Sequence, residues 1–375
     1  MYKKFSRIWQ RVYLKVLSNH LVVLFILCYH KLIGKKQVLY TKQHPIYTDF
    51  FTCNQAISGY VWVYFDVGIT SKWYRNFFLR MVDYFHIDAA TFNQFPIESI
   101  RGKVIVECEG VARPEYFEST QIASIIFQSK YAGRFQLDRD KAQLIYPAIR
   151  DYGKKSKVIQ SGKPITLLAV GFGSFIKGFD VAFKIYKALR NQKYDVRLVI
   201  AGSFGHNFNH YPEVDRDFYN SINFDEIQAE AALDPNLIIR PVSRDELLNE
   251  LYPDSDILLH FSRMETFGFT LLEALNFGIP VVTVNFKAIP EIIQHGYNGF
   301  LCDPFQWDGV SAIDELKMNT FQWQNKSFEQ GMTYVTHLIN NKHEYEVMSK
   351  NATASIQKFS IEMRANALKK VYERD

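Results

Sequence analysis

The stretch that decides the fold runs from residue 256 to residue 285 and reads DILLHFSRMETFGFTLLEALNFGIPVVTVN. Two apolar runs, 256–262 and 279–285, have the length and composition of strands that are buried on both faces. Between them, the glycine at position 268 opens a helical stretch that ends near Phe277. A strand, a helix and a second strand in this order are typical of a parallel α/β sheet.

The same alternation extends in both directions from this stretch. Six earlier runs are predicted to be strands: 37–41, 60–67, 84–88, 103–109, 124–129 and 142–147. Further strands are predicted at 165–171, 196–202 and 237–242, and helices at 178–191, at 243–252 and within 327–374. The polar segment 151–164 holds two glycines and a proline, and it is predicted to link the two series.

The pattern therefore predicts an α/β protein with two Rossmann-like domains that face each other across a cleft. In such sheets, ligands bind where the carboxyl ends of the strands meet the cleft. We expect an extra helical segment over residues 1–35, a first domain over 36–155 and a second domain over 156–375. The last helix either stays with the second domain or crosses back to the first.

The positive charge of the chain is confined to its N-terminal part. Residues 1–48 hold nine Lys or Arg side chains and the first acidic residue is Asp49, so the net charge of +5 becomes 5 − 9 = −4 over the remainder. No basic groove with interleaved aromatic residues follows, so a nucleic-acid partner is not expected.

Residues 3–17, KKFSRIWQRVYLKVL, place aromatic and branched side chains at helical spacing and basic side chains on the other faces. Such a helix either lies in the interface of an anionic membrane or packs as an ordinary surface helix. The charge-free stretch 16–30 is shorter than the ~20 residues that span a bilayer, which favours a buried or interfacial helix. A short membrane anchor within residues 16–33 is the alternative. We expect a cytoplasmic protein, with peripheral contact at the membrane face.

Cysteine and histidine usage argues against a metal centre. The four cysteines include no CxxC pair, which is typical of a protein in a reducing compartment. His206 and His210 are four residues apart, but no third ligand accompanies them. His260 lies in an apolar strand and is expected to be a core histidine whose hydrogen bonds are satisfied.

Two glutamates, eight residues apart, flank the glycine turn of the opening stretch. Glu265 falls in the loop at the carboxyl end of a strand, and the amides of Gly268, Phe269 and Thr270 follow at a helix N-terminus, which favours an anion such as a diphosphate. Glu273 lies further along the helix, where a carboxylate can accept two ribose hydroxyls. The alternative is chance, because Glu is a good helix former and such pairs are common.

A second glycine turn lies in VGFGSFIKGFD, residues 170–180. A strand runs into Gly171 and Gly173, and Lys177 precedes the next helix. Backbone amides and a lysine in such a turn can hold a phosphate. The turn lacks the Gly-Lys-Ser/Thr of a Walker A loop, and by itself it is a weak signal.

Together, these stretches and PEIIQHGYNGFL (290–301) resemble the retaining GT-B glycosyltransferases of family GT4, over roughly residues 120–372. The resemblance implies that Glu265 contacts the hydroxyls of the donor sugar near the reaction centre and that Glu273 binds the ribose. It implies that Lys177 balances the charge of the leaving diphosphate. Gly171 and Gly173 form the glycine turn beside that lysine. The amide-donating loop comprises Phe267, Gly268, Phe269 and Thr270, and Val242 contacts the base.

The chain departs from the family pattern at several positions. Many members have an arginine where this chain has Phe172, and Arg263 is the candidate to supply the missing charge. Of two histidines often found in the first domain, His86 matches the first and Asp88 stands at the second. Glu107 and Glu109 either line the acceptor side, with these two residues, or are solvated edge residues.

The resemblance implies retaining transfer of a sugar from a nucleotide-sugar to a glycan or lipid-linked saccharide, without a metal or other cofactor. The first domain would then take the acceptor and the second the donor, with cell-surface polysaccharide or glycoconjugate synthesis as the setting. A nucleotide-sugar epimerase on the same fold, a glycan phosphorylase and a non-catalytic GT-B subunit are the alternatives. Donor sugar, base and acceptor are left open.

Overall fold

The structure is a computed structural model that describes residues 28–29, 31–32, 34–40, 57, 59–64, 80–89, 92, 100–153, 156–203, 216–307 and 318–374. These residues form two compact units. The first unit runs to Arg150 and includes the C-terminal residues from Phe359, and the second unit is Asp151–Lys358. The predicted amphipathic helix over residues 3–17 lies outside the described residues.

The first unit is built on a six-stranded parallel sheet with the order β2-β1-β3-β4-β5-β6. Its strands are Lys36–Tyr40 (β1), Tyr60–Tyr64 (β2), Tyr84–Asp88 (β3), Lys103–Cys108 (β4), Ile122–Phe127 (β5) and Ala142–Leu144 (β6). A short helix, Pro114–Glu118 (α1), connects β4 to β5. The apolar side chains of β3, β4 and β5 are buried on both faces of the sheet, as their continuous apolar sequence predicts.

The second unit contains another six-stranded parallel sheet, with the order β12-β11-β10-β7-β8-β9. Its strands are Ile165–Phe172 (β7), Val196–Ser203 (β8), Leu237–Arg240 (β9), Ile257–His260 (β10), Val281–Val284 (β11) and Gly299–Cys302 (β12). Strands β7 and β10 are neighbours although 84 residues separate their ends, and this crossover brings two distant loops to one edge of the sheet.

Helices surround this second sheet. They are Phe179–Asn191 (α2), Arg216–Asn220 (α3), Phe224–Leu233 (α4), Arg244–Glu246 (α5), Tyr252–Asp254 (α6), Phe269–Asn276 (α7), Ile289–Ile292 (α8), Phe321–Asn340 (α9) and Lys342–Ser355 (α10). A π-helical turn, Leu247–Leu251, joins α5 to α6. In α2, Val181, Ile185 and Leu189 recur every four residues and are buried, so one apolar stripe fixes the helix on the sheet.

The C-terminal helix, Ile361–Tyr372 (α11), follows a 3₁₀ turn at Ile356–Phe359 and belongs to the first unit. Leu368, Val371 and Tyr372 pack against Val38 and Tyr84 of the first sheet. The chain thus returns to the first unit after it completes the second.

The predicted α/β class with two parallel-sheet domains is confirmed. Strand β12 and helix α4 were not predicted. Strand β12 is only four residues long, and its Gly299 lies where a Cβ would come 2.5 Å from the carbonyl oxygen of Val281. Among the described residues, no helix is long and apolar enough to cross a membrane.

Candidate functional site

Two loops meet at the carboxyl edge of the second sheet, after β7 and after β10. The backbone N–H of Arg263 donates to the carbonyl of Ile176 at 2.7 Å. At Gly178, whose φ is +66°, a Cβ would come 2.0 Å from the carbonyl oxygen of Phe261. The absence of a side chain at residue 178 therefore lets the two loops close on each other.

This contact brings together Lys177 and Glu265, both predicted to act in the site. Lys177 Nζ donates to Glu265 Oε2 at 3.0 Å, and the two side chains are 23% and 15% exposed. At Gly171, φ is +151° and a Cβ would come 2.6 Å from Lys177 Cγ. The predicted glycine turn therefore makes room for the stem of the lysine. We call this ion pair half-open, because both side chains are partly exposed to solvent.

Glu265 is held in its ionised form. Burial raises the pKa of its carboxyl group, but the close approach of His260 and the positive charge of Lys177 outweigh burial and lower the pKa to about 2. The carboxylate therefore stays charged at neutral pH. It is the counter-charge for Lys177, and its oxygens can accept further hydrogen bonds.

Helix α7 begins immediately after this loop. Its N-cap is Gly268, which adopts a left-handed conformation with φ of +109°, and no side chain caps the helix. Phe267 is buried and packs edge-on against the ring of Phe269 at 5.6 Å. Thr270 is half-buried in the first turn. An N-terminus without a side-chain cap, in a helix whose dipole favours negative charge, is suited to an anionic ligand.

Glu273 lies deeper in α7 and is buried. Its Oε1 accepts a hydrogen bond from Arg244 Nη1 at 2.5 Å, and its Oε2 accepts one from the Tyr252 hydroxyl at 2.9 Å. Arg244 opens α5, two residues after Val242, so the loop predicted to contact the base is tied to the glutamate predicted to contact the ribose. Neither Arg244 nor Tyr252 was predicted, because no local pattern links them to Glu273.

Arg263 occupies a different place from the one expected. It is buried, its guanidinium forms two hydrogen bonds of 2.7 Å with the carboxylate of Asp180, and it donates a third to the carbonyl of Phe175 at 2.6 Å. The rings of Phe175 and Trp323 lie 4.4 and 4.6 Å from its central carbon. These contacts fix the loop after β10, and they give no support to a direct role in donor binding.

Phe172, at the position of the missing arginine, is the last residue of β7 and is 78% exposed. Gly173 follows it with φ of +85°. The strand therefore ends with an aromatic side chain in solvent, close in sequence to Lys177. Its geometry offers an apolar ring where the family pattern has a charge.

In the first unit, the predicted acceptor-side residues separate into two groups. His86 is buried, its Nε2 lies 3.0 Å from Glu107 Oε2, and its Nδ1 lies 2.6 Å from the hydroxyl of Tyr372. Arg364 of α11 also contacts both oxygens of Glu107 at 2.9 Å. Asp88 is half-buried and Glu109 is exposed, and both lie at the carboxyl edge of the sheet. Only these last two face away from the core.

Within the described part of the chain, no three His, Cys, Asp or Glu side chains are grouped as a metal site. His206 and His210 lie outside the described residues. The expectation that no metal or other cofactor is needed stays a prediction.

A protein-family model covers the site just described. Residues 152–320 match the model described as glycosyl transferases group 1. These residues, a little under half of the chain, resemble the group 1 glycosyltransferases. The match ends before α9 and contains Lys177, Glu265 and Glu273, so the predicted family resemblance is confirmed for the second unit.

Curated relatives match shorter stretches. The N-acetyl-alpha-D-glucosaminyl L-malate synthase of Bacillus anthracis is 40% identical over 78 residues, which are 20% of this chain and 20% of that protein. The O-antigen chain mannosyltransferase B of Escherichia coli is 32% identical over 88 residues, 24% of this chain and 23% of that protein. The matched segments thus span less than a quarter of either relative.

Solved structures match over nearly the whole chain. A glycosyltransferase from Rickettsia africae has a TM-score of 0.65 at 16% identity, over 91% of this chain and 98% of its own. An Anabaena protein solved in complex with UDP-glucose has a TM-score of 0.62 at 13% identity, over 90% of this chain and 100% of its own. At these identities the likeness establishes the fold, which is the predicted GT-B class.

Proposed function

We propose that this chain transfers a sugar from a nucleotide-sugar to a glycan or lipid-linked saccharide, with retention of configuration. The observation that carries the proposal is the half-open Lys177–Glu265 pair, 3.0 Å long, placed before the uncapped N-terminus of α7. A lysine, a carboxylate and helix amides in one place suit a ligand in which an anionic diphosphate is joined to a sugar with several hydroxyl groups.

The proposed reaction needs a diphosphate to leave and positive charge to develop at the sugar carbon. The bond from that carbon to the phosphate oxygen breaks, a bond to the acceptor oxygen forms on the same face, and the acceptor proton passes to the departing phosphate. Lys177 and the first amides of α7 stabilise the negative charge on the leaving group. Glu265, already ionised, accepts hydrogen bonds from the sugar hydroxyls and holds the sugar in place.

Donor binding is proposed to extend from Glu265 to Glu273. Each carboxylate oxygen of Glu273 can accept more than one hydrogen bond, so a ribose hydroxyl is proposed to share an oxygen with Arg244 or Tyr252. Val242, next to the start of α5, is proposed to contact the base through its backbone. Gly171 and Gly173 keep the turn beside the diphosphate open.

The acceptor is proposed to bind at the carboxyl edge of the first sheet, near Asp88 and Glu109. The E. coli relative, an O-antigen chain mannosyltransferase, supports a place in cell-surface polysaccharide synthesis. We further propose that residues 3–17 contact an anionic membrane at the cytoplasmic face. Removal of residues 1–18 should then abolish sedimentation with anionic liposomes, and unchanged sedimentation would remove this part of the proposal.

The donor is tested first by thermal unfolding in the presence of UDP-, GDP- and ADP-sugars. A ligand that binds the folded state raises its stability by about 2.7 kcal/mol at a hundredfold excess over Kd, so one donor series should stand out. A Glu273→Gln variant, which keeps the shape of the side chain, should lose most of that stabilisation.

Turnover then separates an enzyme from a non-catalytic subunit. Release of free nucleotide from the donor identified by thermal unfolding should depend on Lys177. If the donor binds tightly and no acceptor or water ever receives the sugar, the chain is a binding subunit and the catalytic part of the proposal is wrong.

A further inference from the structure

His260 occupies a position that the expectation of an ordinary core histidine does not explain. It is the last residue of β10, is 3% exposed, and lies opposite Thr283 in the neighbouring strand β11. Its Nδ1 lies 3.0 Å from Thr283 Oγ1, and its Nε2 lies 3.4 Å from Glu265 Oε2. The ring therefore connects the interior of the sheet to the carboxylate of the proposed site.

The hydrogens at this contact can be counted. The Thr283 hydroxyl has a single hydrogen, which it donates to the backbone carbonyl of His260 at 2.7 Å. With the hydroxyl hydrogen on that carbonyl, the hydroxyl oxygen accepts from His260 Nδ1, and Nδ1 then carries a hydrogen. A neutral imidazole has no second ring hydrogen, and Nε2 would point a lone pair at the carboxylate of Glu265. A proton on Nε2 replaces this repulsion with an ion pair.

We propose that His260 is a positioning residue, kept doubly protonated by Thr283, that holds Glu265 in place when Lys177 turns to the diphosphate. Lys177 Nζ and His260 Nε2 approach the same oxygen, Glu265 Oε2, at 3.0 and 3.4 Å. If Lys177 were the sole cation here, its shift toward a phosphate would release Glu265. With His260 charged, the carboxylate keeps its partner throughout.

The charges around the ring support this assignment. Glu265 faces it from the loop after β10, and Lys177 reaches the same oxygen from the loop after β7. Arg263 does not contribute, because its guanidinium is bound to Asp180. With His260 protonated, the three groups sum to +1, which attracts a diphosphate. With a neutral ring they sum to zero. The role of His260 in holding Glu265 during diphosphate binding rests on the proposed function. The protonation state of His260 does not.

The protonation state is tested directly by NMR. Protein labelled with ¹⁵N-histidine shows whether each ring nitrogen bears a proton, and His260→Asn identifies the signals of this residue among the ten histidines. We expect both ring nitrogens of His260 to bear a proton. In Thr283→Val the acceptor is lost, and we expect a neutral ring with its hydrogen on Nε2. Thr283→Ser should restore the wild-type spectrum.

A wild-type spectrum in which one ring nitrogen of His260 is unprotonated at about pH 7 would overturn the proposal. It would mean that the threonine hydroxyl donates to Nδ1 instead of to the carbonyl. This measurement needs no donor, so it decides the protonation state even if His260→Asn folds poorly, because Thr283→Val and Thr283→Ser shift the same signals.

The anchoring role is tested with UDP as the probe, followed by GDP and ADP if UDP does not bind. We expect Thr283→Val to bind the nucleotide about tenfold more weakly than wild type, and Thr283→Ser to bind as wild type does. Equal affinity of the valine variant, with a neutral ring seen by NMR, would show that His260 does not anchor Glu265 for Lys177. If no nucleotide binds the wild-type chain, the proposed function fails while the NMR result still stands.

Discussion

Each of the two domains holds a glutamate that contacts both a histidine and a cationic side chain. In the first domain, Glu107 contacts His86 and Arg364. In the second domain, Glu265 contacts His260 and Lys177. Both carboxyl groups have a pKa lowered to about 2, because the partner charges outweigh the effect of burial. By chemistry alone the two clusters look alike.

They differ in access and in the geometry of the cation. The side chains of Glu107 and Arg364 are 5% and 1% exposed, and the guanidinium contacts both carboxylate oxygens. Lys177 makes a single contact of 3.0 Å, in a pair that is partly open to solvent. A fully enclosed, two-point pair fixes α11 on the first sheet, whereas a single-point, half-open pair can exchange a partner for a ligand. A lowered carboxyl pKa therefore occurs both in a cluster that holds the fold together and in a candidate functional site. The solvent exposure of the ion pair distinguishes the two.

The largest expected effect is on the stability of the first domain. Arg364→Ala leaves the buried carboxylate of Glu107 without its strongest partner, and we expect a loss of about 3–5 kcal/mol in the free energy of unfolding. Chemical denaturation measures it. Lys369→Ala is the control, because Lys369 forms an exposed pair with Glu373 on the same helix and should cost less than about 1 kcal/mol. Equal losses would mean that enclosure of the first cluster contributes nothing.

Replacement of the cation in the second domain should affect turnover far more than folding. Lys177→Ala removes the charge that we propose stabilises the leaving diphosphate, and we expect kcat to fall about 10²–10³-fold. Lys187→Ala is the matched control, since Lys187 also pairs with a glutamate, Glu230, but lies on the surface of α2. A Lys177 variant that turns over like the control would remove Lys177 from the proposed mechanism.

The two glutamates also predict how stability changes with acid. A carboxyl group whose folded pKa is lowered from about 4.5 to about 2 contributes stability above its unfolded pKa, and that contribution disappears as the pH falls through this window. For Glu107 the contribution is about 3 kcal/mol by linkage. Glu107→Gln should therefore flatten the loss of stability between about pH 4.5 and pH 2.

The same experiment on Glu265 provides the comparison with Glu107. Glu265→Gln should flatten the same window less, because water screens its half-open pair. Unfolding is followed by circular dichroism at a series of pH values. If the two variants give the same curve, the difference in exposure between the clusters has no energetic consequence.

The smallest expected effect comes from the glycine that lets the two loops of the second domain meet. Gly178→Ala places a Cβ against a backbone carbonyl, so we expect a loss of about 2–3 kcal/mol together with weaker nucleotide binding. Gly153→Ala is the control, because Gly153 has a similar φ of +62° but nothing lies within 4 Å of the added carbon. Backbone strain alone should cost about 1 kcal/mol there. Equal costs would show that loop closure does not depend on Gly178.

Much of the fold could be predicted from local sequence patterns. The strands from β1 to β11 and the long helices follow from apolar runs and periodicity, which report interactions between residues close in the chain. Helix α4 and strand β12 were not predicted, since the first has little amphipathic character and the second is very short. The candidate site residues Lys177 and Glu265 could be proposed from the sequence, because the resemblance places both in short, ordered motifs.

The side chains that contact the candidate site residues could not be predicted from local patterns. Arg364 lies 257 residues from Glu107, Asp180 lies 83 residues from Arg263, and Arg244 lies 29 residues from Glu273. No repeat or spacing connects such pairs. The same holds for His260, whose role depends on a threonine in the next strand and on a carboxylate in the following loop.

By itself, the sequence determined the order of strands and helices, the two-domain α/β class and the motifs that hold Lys177 and Glu265. Only the tertiary structure decided which charged groups meet, which of them are enclosed and which stay open. The physical reason is that hydrophobic periodicity acts over a few residues, whereas an ion pair or a hydrogen-bond network forms wherever packing brings distant strands and helices together.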